Sequence, residues 1–241
     1  MKLYYWSPFF SNVATEKAVI NSIKSMNKFS NKKINPYLLD VIGEWNSQRK
    51  ELSDNGIIIK NLLNFKLLKY LPKYGFLKSR FSYIIVFFFS IFKLHKILKN
   101  EKPDYLIIHL MTFIPLILLL FFKYDTKFIL RISGYPKLNF LRSLFWRVVG
   151  KKIFLVTTPT NLTLELLNRF NIFDLDKIKY LPDPILNIDE IKKKSLDKNI
   201  IENEVSISNS IISIGRLTNQ KNFSFLIKAF SEIHKKYPRF N

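Results

Sequence analysis

Ile211-Ile-Ser-Ile-Gly215-Arg216-Leu-Thr-Asn-Gln-Lys221-Asn-Phe-Ser-Phe-Leu-Ile-Lys-Ala-Phe230 is the stretch on which the reading of this chain turns. The apolar, β-branched run ending at Ile214 predicts a strand. Gly215 permits a sharp turn and close backbone approach. Phe223, Leu226, Ile227 and Phe230 fall at i, i+3, i+4 and i+7, which predicts an amphipathic helix with Asn222 as its cap. Arg216 and Lys221 stand in the loop between, at the carboxyl end of a parallel strand, where open α/β sheets bind ligands. The helix amino terminus adds N–H donors and a positive dipole end. A guanidinium fork beside an ammonium suits a diphosphate. On the residues alone, an ordinary solvated basic loop is the equal alternative.

The same strand-then-helix grammar fills the chain upstream. Strands are predicted at Lys2–Trp6, Pro36–Ile42, Gly56–Lys60, Asp104–His109, Lys127–Ile132, Lys152–Thr157 and Lys177–Leu181. Helices are predicted over 13–29, with Ser11 or Asn12 as cap, and over 81–99, 138–149 and 160–170. This alternation implies an α/β fold, a doubly wound, Rossmann-like parallel sheet with helices on both faces. Residues 187–209 are polar and charged and read as an inter-domain connection. The expected organisation is therefore an amino-terminal domain over 1–186, a linker over 187–209, and the start of a second Rossmann-like domain over 210–241. One strand-helix unit has no partner against which to bury its helix, so the chain reads as truncated.

Composition narrows the chemistry. The 241 residues contain no Cys and only three His, which excludes disulfide scaffolds, thiol nucleophiles and Cys-ligated zinc. No metal cluster, phosphate-loop lysine motif or Ser-His-Asp order is visible. The formal net charge is +21, and it is unevenly spread. Residues 55–100 hold nine Lys or Arg and no acid, and 126–164 hold seven and no acid. Such a field attracts polyanions. In 55–100 the Lys are interleaved with Leu, Tyr and Phe, a pattern that suits an anionic membrane surface. A helix with a core-facing apolar side and solvated Lys has the same pattern, and aromatic-plus-basic character also suits single strands of nucleic acid. The expected partner is an anionic membrane surface and not nucleic acid.

Two apolar stretches have the look of membrane spans. Residues 83–92 fall short of a bilayer of ~30 Å. Residues 105–122 reach the length, but a buried strand from Asp104 to Leu110 accounts for them, followed by a helix capped by Thr112 with Pro115 in its first turn. The opening Met1–Trp6, closed by Ser7-Pro8, reads as a first strand and not as a signal core.

The string GRLTNQKNFSFLIKAF resembles the opening of the donor domain in retaining glycosyltransferase family 4, which has the GT-B fold. There a strand is followed by Gly-Arg, four residues, Lys-Asn and an amphipathic helix. The resemblance implies that Arg216 and Lys221 contact and stabilise a departing donor diphosphate, with Gly215 as the turn glycine. More loosely, Lys102-Pro-Asp-Tyr-Leu-Ile-Ile-His109 resembles the family's Pro-Asp strand, and Tyr180-Leu-Pro-Asp-Pro-Ile185 its domain-closing turn.

Three departures are visible. The loop Ser7–Ala14 lacks the family's paired glycines, Ser133 stands before Gly134 where many relatives have His, and the paired glutamates of the second domain are absent. Asn12, His109, Ser133 and Gly134 are the acceptor-side candidates; a packed histidine at a strand end is the alternative for His109, and a simple turn for Ser133-Gly134.

What the resemblance implies is sugar transfer from a nucleotide-diphosphate sugar, without a metal or other cofactor, to a glycan or lipid-linked acceptor. The setting would be bacterial surface polysaccharide synthesis at the cytoplasmic face of the plasma membrane. The chain alone is expected to be inactive. The rival is a catalytically inactive GT-B fragment that binds a membrane surface.

Overall fold

The computed structural model describes residues 1–10, 14–71, 76–196, 211–215, 217–219 and 221–239, with the side chains of 76–79 excepted. It divides into two units, Met1–Leu186 and Asn187–Asn241.

In the first unit seven strands make one all-parallel sheet. They are β1 (Lys2–Trp6), β2 (Asn35–Asp40), β3 (Ile58–Asn61), β4 (Tyr105–Ile108), β5 (Lys127–Arg131), β6 (Leu155–Thr158) and β7 (Ile178–Tyr180). Their order is β3-β2-β1-β4-β5-β6-β7. The central β1 places Tyr5 opposite Leu38 of β2 and Ile107 of β4. The connecting helices are α1 (Ala14–Phe29), α2 (Arg49–Asp54), α3 (Phe76–Asn100), α4 (Phe113–Phe121), α5 (Phe140–Gly150) and α6 (Asn161–Phe170).

Right-handed crossovers decide which helix covers which face. The chain winds from β1 to β3 in one direction and from β3 through β7 in the other. Accordingly α1 and α2 pack Val19, Ile23 and Leu52 on Leu3, Tyr5 and Leu38. On the opposite face α3 to α6 pack Leu94, Leu116, Trp146 and Leu167 on Tyr4, Trp6, Leu106 and Phe128.

Element ends depart from expectation where side chains or helix carbonyls capture backbone donors. β2 stops at Asp40 because the N–H groups of Val41 and Ile42 are taken by the Glu44 carboxylate at 3.1 and 2.7 Å. Glu44 is buried, and that burial, with the adjacent Asp40, pushes its carboxyl well above the usual range. β6 begins at Leu155 because the N–H of Lys152 and of Ile153 bonds back to the end of α5. The Lys152 ammonium meanwhile closes α4, donating to the carbonyls of Leu119 and Leu120 at 3.2 and 2.6 Å. Asn139 and Thr160 cap α5 and α6 with their side chains. Thr112 does not cap α4: it is already helical in backbone and makes no side-chain cap bond. α2 was not expected.

α3 runs 25 residues, about 37 Å at 1.5 Å per residue. Its stretch Arg80–Asn100 is long and apolar enough to cross a membrane, and 28% of its apolar 18-residue window is buried. Here it is the crossover between β3 and β4, held to the sheet by Val86, Leu94 and Leu98. Its outward positions are also apolar, including Phe81, Ile84, Phe88 and Phe92, all exposed. A surface helix normally turns polar residues outward.

The second unit has α7 (Ile188–Leu196), in the stretch expected as a connection, and α8 (Phe223–Lys236). Neither buries a residue. Ile211–Ile214, expected as a strand, has no regular secondary structure, and Ile214 is 91% exposed. A parallel strand exists only through bonds to a neighbour, and no strand is found among the described residues of this unit.

Candidate functional site

The winding direction reverses between β1 and β4, which opens a crevice at the carboxyl edge of the sheet. His109 stands there, one residue past β4. Its N–H continues the ladder to the Trp6 carbonyl at 2.9 Å, and its ring stacks on Tyr5 with centroids 6.1 Å apart. The residue is 6% exposed, and neither ring nitrogen has a hydrogen-bond partner. Burial, helped by the nearby Arg131 cation, lowers its pKa to about 3, so the imidazole is neutral. A buried polar ring left unpaired costs free energy. Two residues on, Met111 adopts a left-handed backbone with φ of 47°, strained for a side chain with a Cβ. Its carbonyl accepts from the buried Trp6 indole at 3.4 Å.

Two cavities border His109. The larger, about 600 Å³, lies between α3, the β4–α4 loop and the start of α5. The smaller, about 320 Å³, runs along the opposite sheet face beside α1, past Tyr105, Ile107 and Ile129, to Arg131, Thr157 and Asp183. Ser133 and Gly134 line neither. Both are exposed beyond β5, and a Cβ built on Gly134 meets nothing within 4 Å. Asn12 lies outside the described residues.

The sequence reading passed over Arg131 and Arg142. Arg131 is buried at the end of β5, pairs with Asp183 at 2.5 Å, and reaches Thr157 Oγ1 at 3.4 Å. Asp183 thus ties the closing turn of the first unit to the sheet. The available signal was a lone cation ending an otherwise apolar strand, Phe128-Ile-Leu-Arg131-Ile. Arg142 sits in the first turn of α5, its guanidinium 4.9 Å from the Trp146 ring. A solitary arginine after a capping Asn gave no such signal.

In the second unit the Lys221 side chain lies over Gly215. A Cβ at 215 would meet Lys221 Cγ at 3.3 Å and Cδ at 3.4 Å. The glycine serves close approach here, and its backbone is not left-handed. Thr218 turns the loop, its carbonyl accepting from Lys221 N at 2.9 Å and Asn222 N at 3.3 Å. Asn222, expected as a side-chain cap, instead takes a left-handed backbone with φ of 50° and makes no side-chain cap bond. Lys221 is exposed at the amino end of α8, a geometry suited to an anion. Arg216 lies outside the described residues. Among the described residues no group of His, Asp or Glu is arranged to hold a metal ion.

No family model matches the chain. It is 30% identical over 173 residues to the uncharacterized glycosyltransferase MJ1059 of Methanocaldococcus jannaschii, a match covering 61% of this chain and 40% of that one. Among solved structures it resembles a glycosyltransferase from Rickettsia africae, with TM-score 0.58, 16% identity, and 96% and 57% of the two chains covered. It also resembles the UDP-GlcNAc 2-epimerase of Neisseria meningitidis, solved with UDP-GlcNAc, with TM-score 0.59, 16% identity, and coverage of 100% and 64%. The Anabaena protein HepE, solved with UDP and glucose, matches with TM-score 0.55, 12% identity, and coverage of 96% and 58%. The fold is thus of the GT-B, Rossmann-like type. The chain spans 40% of its curated relative and 57 to 64% of these three solved chains.

Proposed function

We propose that the protein is a retaining, family 4-like glycosyltransferase that moves a sugar from a nucleotide-diphosphate sugar to a glycan or lipid-linked acceptor. Surface polysaccharide synthesis at the cytoplasmic face of the membrane is the proposed setting. The observation that carries it is the placement of Lys221, whose aliphatic stem lies over Gly215 just before the amino end of α8. The similarity to MJ1059 and to a sheet fold used by proteins solved with UDP-sugars supports a UDP-sugar donor. As the bond from the sugar to the diphosphate breaks, negative charge grows on the leaving diphosphate. Arg216, Lys221 and the amino end of α8 would neutralise that charge, with no metal required. His109, neutral and unpaired, would face the acceptor side.

The test is a nucleotide-sugar panel on the full-length protein, scoring release of free nucleotide diphosphate and transfer to a crude glycan-lipid acceptor. Lys221→Ala and Arg216→Ala should each cut turnover by about 10²- to 10³-fold with the fold intact, the usual cost of one preorganised charge donor. Wild-type-like turnover in either variant would refute the assignment. Two other outcomes point elsewhere. Epimerised donor without transfer would indicate an epimerase on the shared fold. A folded protein that releases nothing yet binds anionic vesicles would indicate the non-catalytic membrane module, which the exposed apolar side of α3 favours.

A further inference from the structure

We infer that the cavity of about 600 Å³ between α3, the β4–α4 loop and α5 holds the hydrocarbon chain of a membrane-borne lipid phosphate. Naming that lipid as the acceptor rests on the transferase reading; the binding itself does not.

The walls carry the inference. Phe87 and Phe88 come from α3, Met111 from the β4–α4 turn, Phe113 and Ile114 from the start of α4, and Arg142 from α5. Phe87 contacts Phe88 and Phe113 at ring distances of 5.5 and 6.0 Å, and Phe113 contacts Phe145 at 5.4 Å. Seven of the eleven lining residues are apolar and the polar ones are Tyr83, His109, Thr112 and Arg142, so a sugar or nucleotide, which needs a hydrogen-bond partner for each hydroxyl it buries, would find few along the aromatic wall. A hydrocarbon chain needs none. The volume falls within the ~300–1,000 Å³ typical of small-molecule sites.

The surroundings supply direction and charge. The same helices expose further apolar residues, Phe92 on α3, Phe121 on α4, and Phe140 and Leu141 on α5, an apolar surface of the kind that meets lipid. Exposed Lys93, Lys96, Lys137 and Arg147 accompany it, and residues 55–100 and 126–164 contain no acid to oppose an anionic headgroup. Arg142 is exposed at the cavity, with one donor engaged by the Lys137 carbonyl at 3.2 Å. An arginine fork with donors to spare recognises phosphate.

The probe is dodecyl phosphate below its micellar concentration, titrated calorimetrically into the intact chain beside inorganic phosphate and dodecyl maltoside. One-to-one binding of dodecyl phosphate alone is expected. Phe113→Glu should weaken it about tenfold or more by setting a carboxylate against the chain. Phe88→Glu, at a more exposed wall position, should act in the same direction and serves if Phe113→Glu fails to fold. Arg142→Gln should weaken binding about tenfold, with Arg142→Lys recovering part of the loss. Phe29→Glu, at the end of α1 on the other face of the sheet, should leave it unchanged. Equal binding of the maltoside, binding of inorganic phosphate as tight as that of dodecyl phosphate, or equal losses in Phe88→Glu and Phe29→Glu would overturn the assignment. Dodecyl phosphate binding without any sugar transfer would leave the groove standing and remove only the transferase; transfer to soluble acceptors without lipid binding would do the reverse.

Discussion

Tyr105–Ile108 with α4, and Ile211–Ile214 with α8, are both apolar runs that lead through a short loop into a helix. In the first unit the run becomes β4, between β1 and β5, with Leu106 and Ile108 fully buried. In the second the run pairs with no strand among the described residues, and its isoleucines are exposed. Local propensity is alike in the two cases. The difference is the neighbour, since a strand's backbone bonds and its side-chain burial both come from other parts of the chain. The comparison also separates two kinds of site. The crevice at His109 is set by a buried sheet, whereas the Gly215–Lys221 loop is local, made by one turn and one side chain lying over a glycine.

The comparison can be broken by mutation, beginning where the effect should be largest. Leu106→Ala should cost about 2–5 kcal/mol of unfolding free energy, the range for emptying a packed aliphatic site, read as a shift in the denaturant midpoint. If it costs nothing, the first unit is not the packed sheet described here.

The next effect is sharper in pH than in size. His109 is neutral in the fold, with a pKa near 3, against about 6.5 when unfolded. Below pH ~6.5 the unfolded chain therefore binds a proton that the native state refuses. The contribution is fully present above that pH and is lost as pH falls toward 3, at up to ~1.4 kcal/mol per pH unit. His109→Leu should flatten that limb of the stability-against-pH curve. An unchanged slope would mean that the imidazole is not buried as described.

The smallest effect belongs to the second unit. Ile214→Ala should change stability by no more than about 0.5 kcal/mol, because the side chain is already in water. A loss of the size expected for Leu106→Ala would show that Ile214 is packed in solution.

Much of the first unit was legible because its strands are short, apolar and punctuated. Lys2–Trp6 was read residue for residue, and the remaining strands were each found within a few positions. The errors lie where a side chain or a neighbouring helix end intercepts the backbone, as Glu44 does after Asp40. Of the site, His109 was legible as a polar residue ending an apolar strand, and Lys221 as a cation before a helix. Ser133 and Gly134 were placed at the right strand end but stand clear of both cavities. Arg142 was not legible as a site residue, because only the packing of α5 beside α3 brings it to the aromatic groove.

The amino-acid sequence by itself determined the alternation of strands and helices, the basic charge with its acid-free segments, and the glycine-to-lysine spacing of the loop. These are properties of residue type and of distances of a few positions along the chain. Only the tertiary structure decided which apolar runs became strands, which face of α3 was covered, and that His109 would be buried without a partner. Those outcomes depend on groups far apart in sequence, and on whether a second surface is present to take each apolar face out of water.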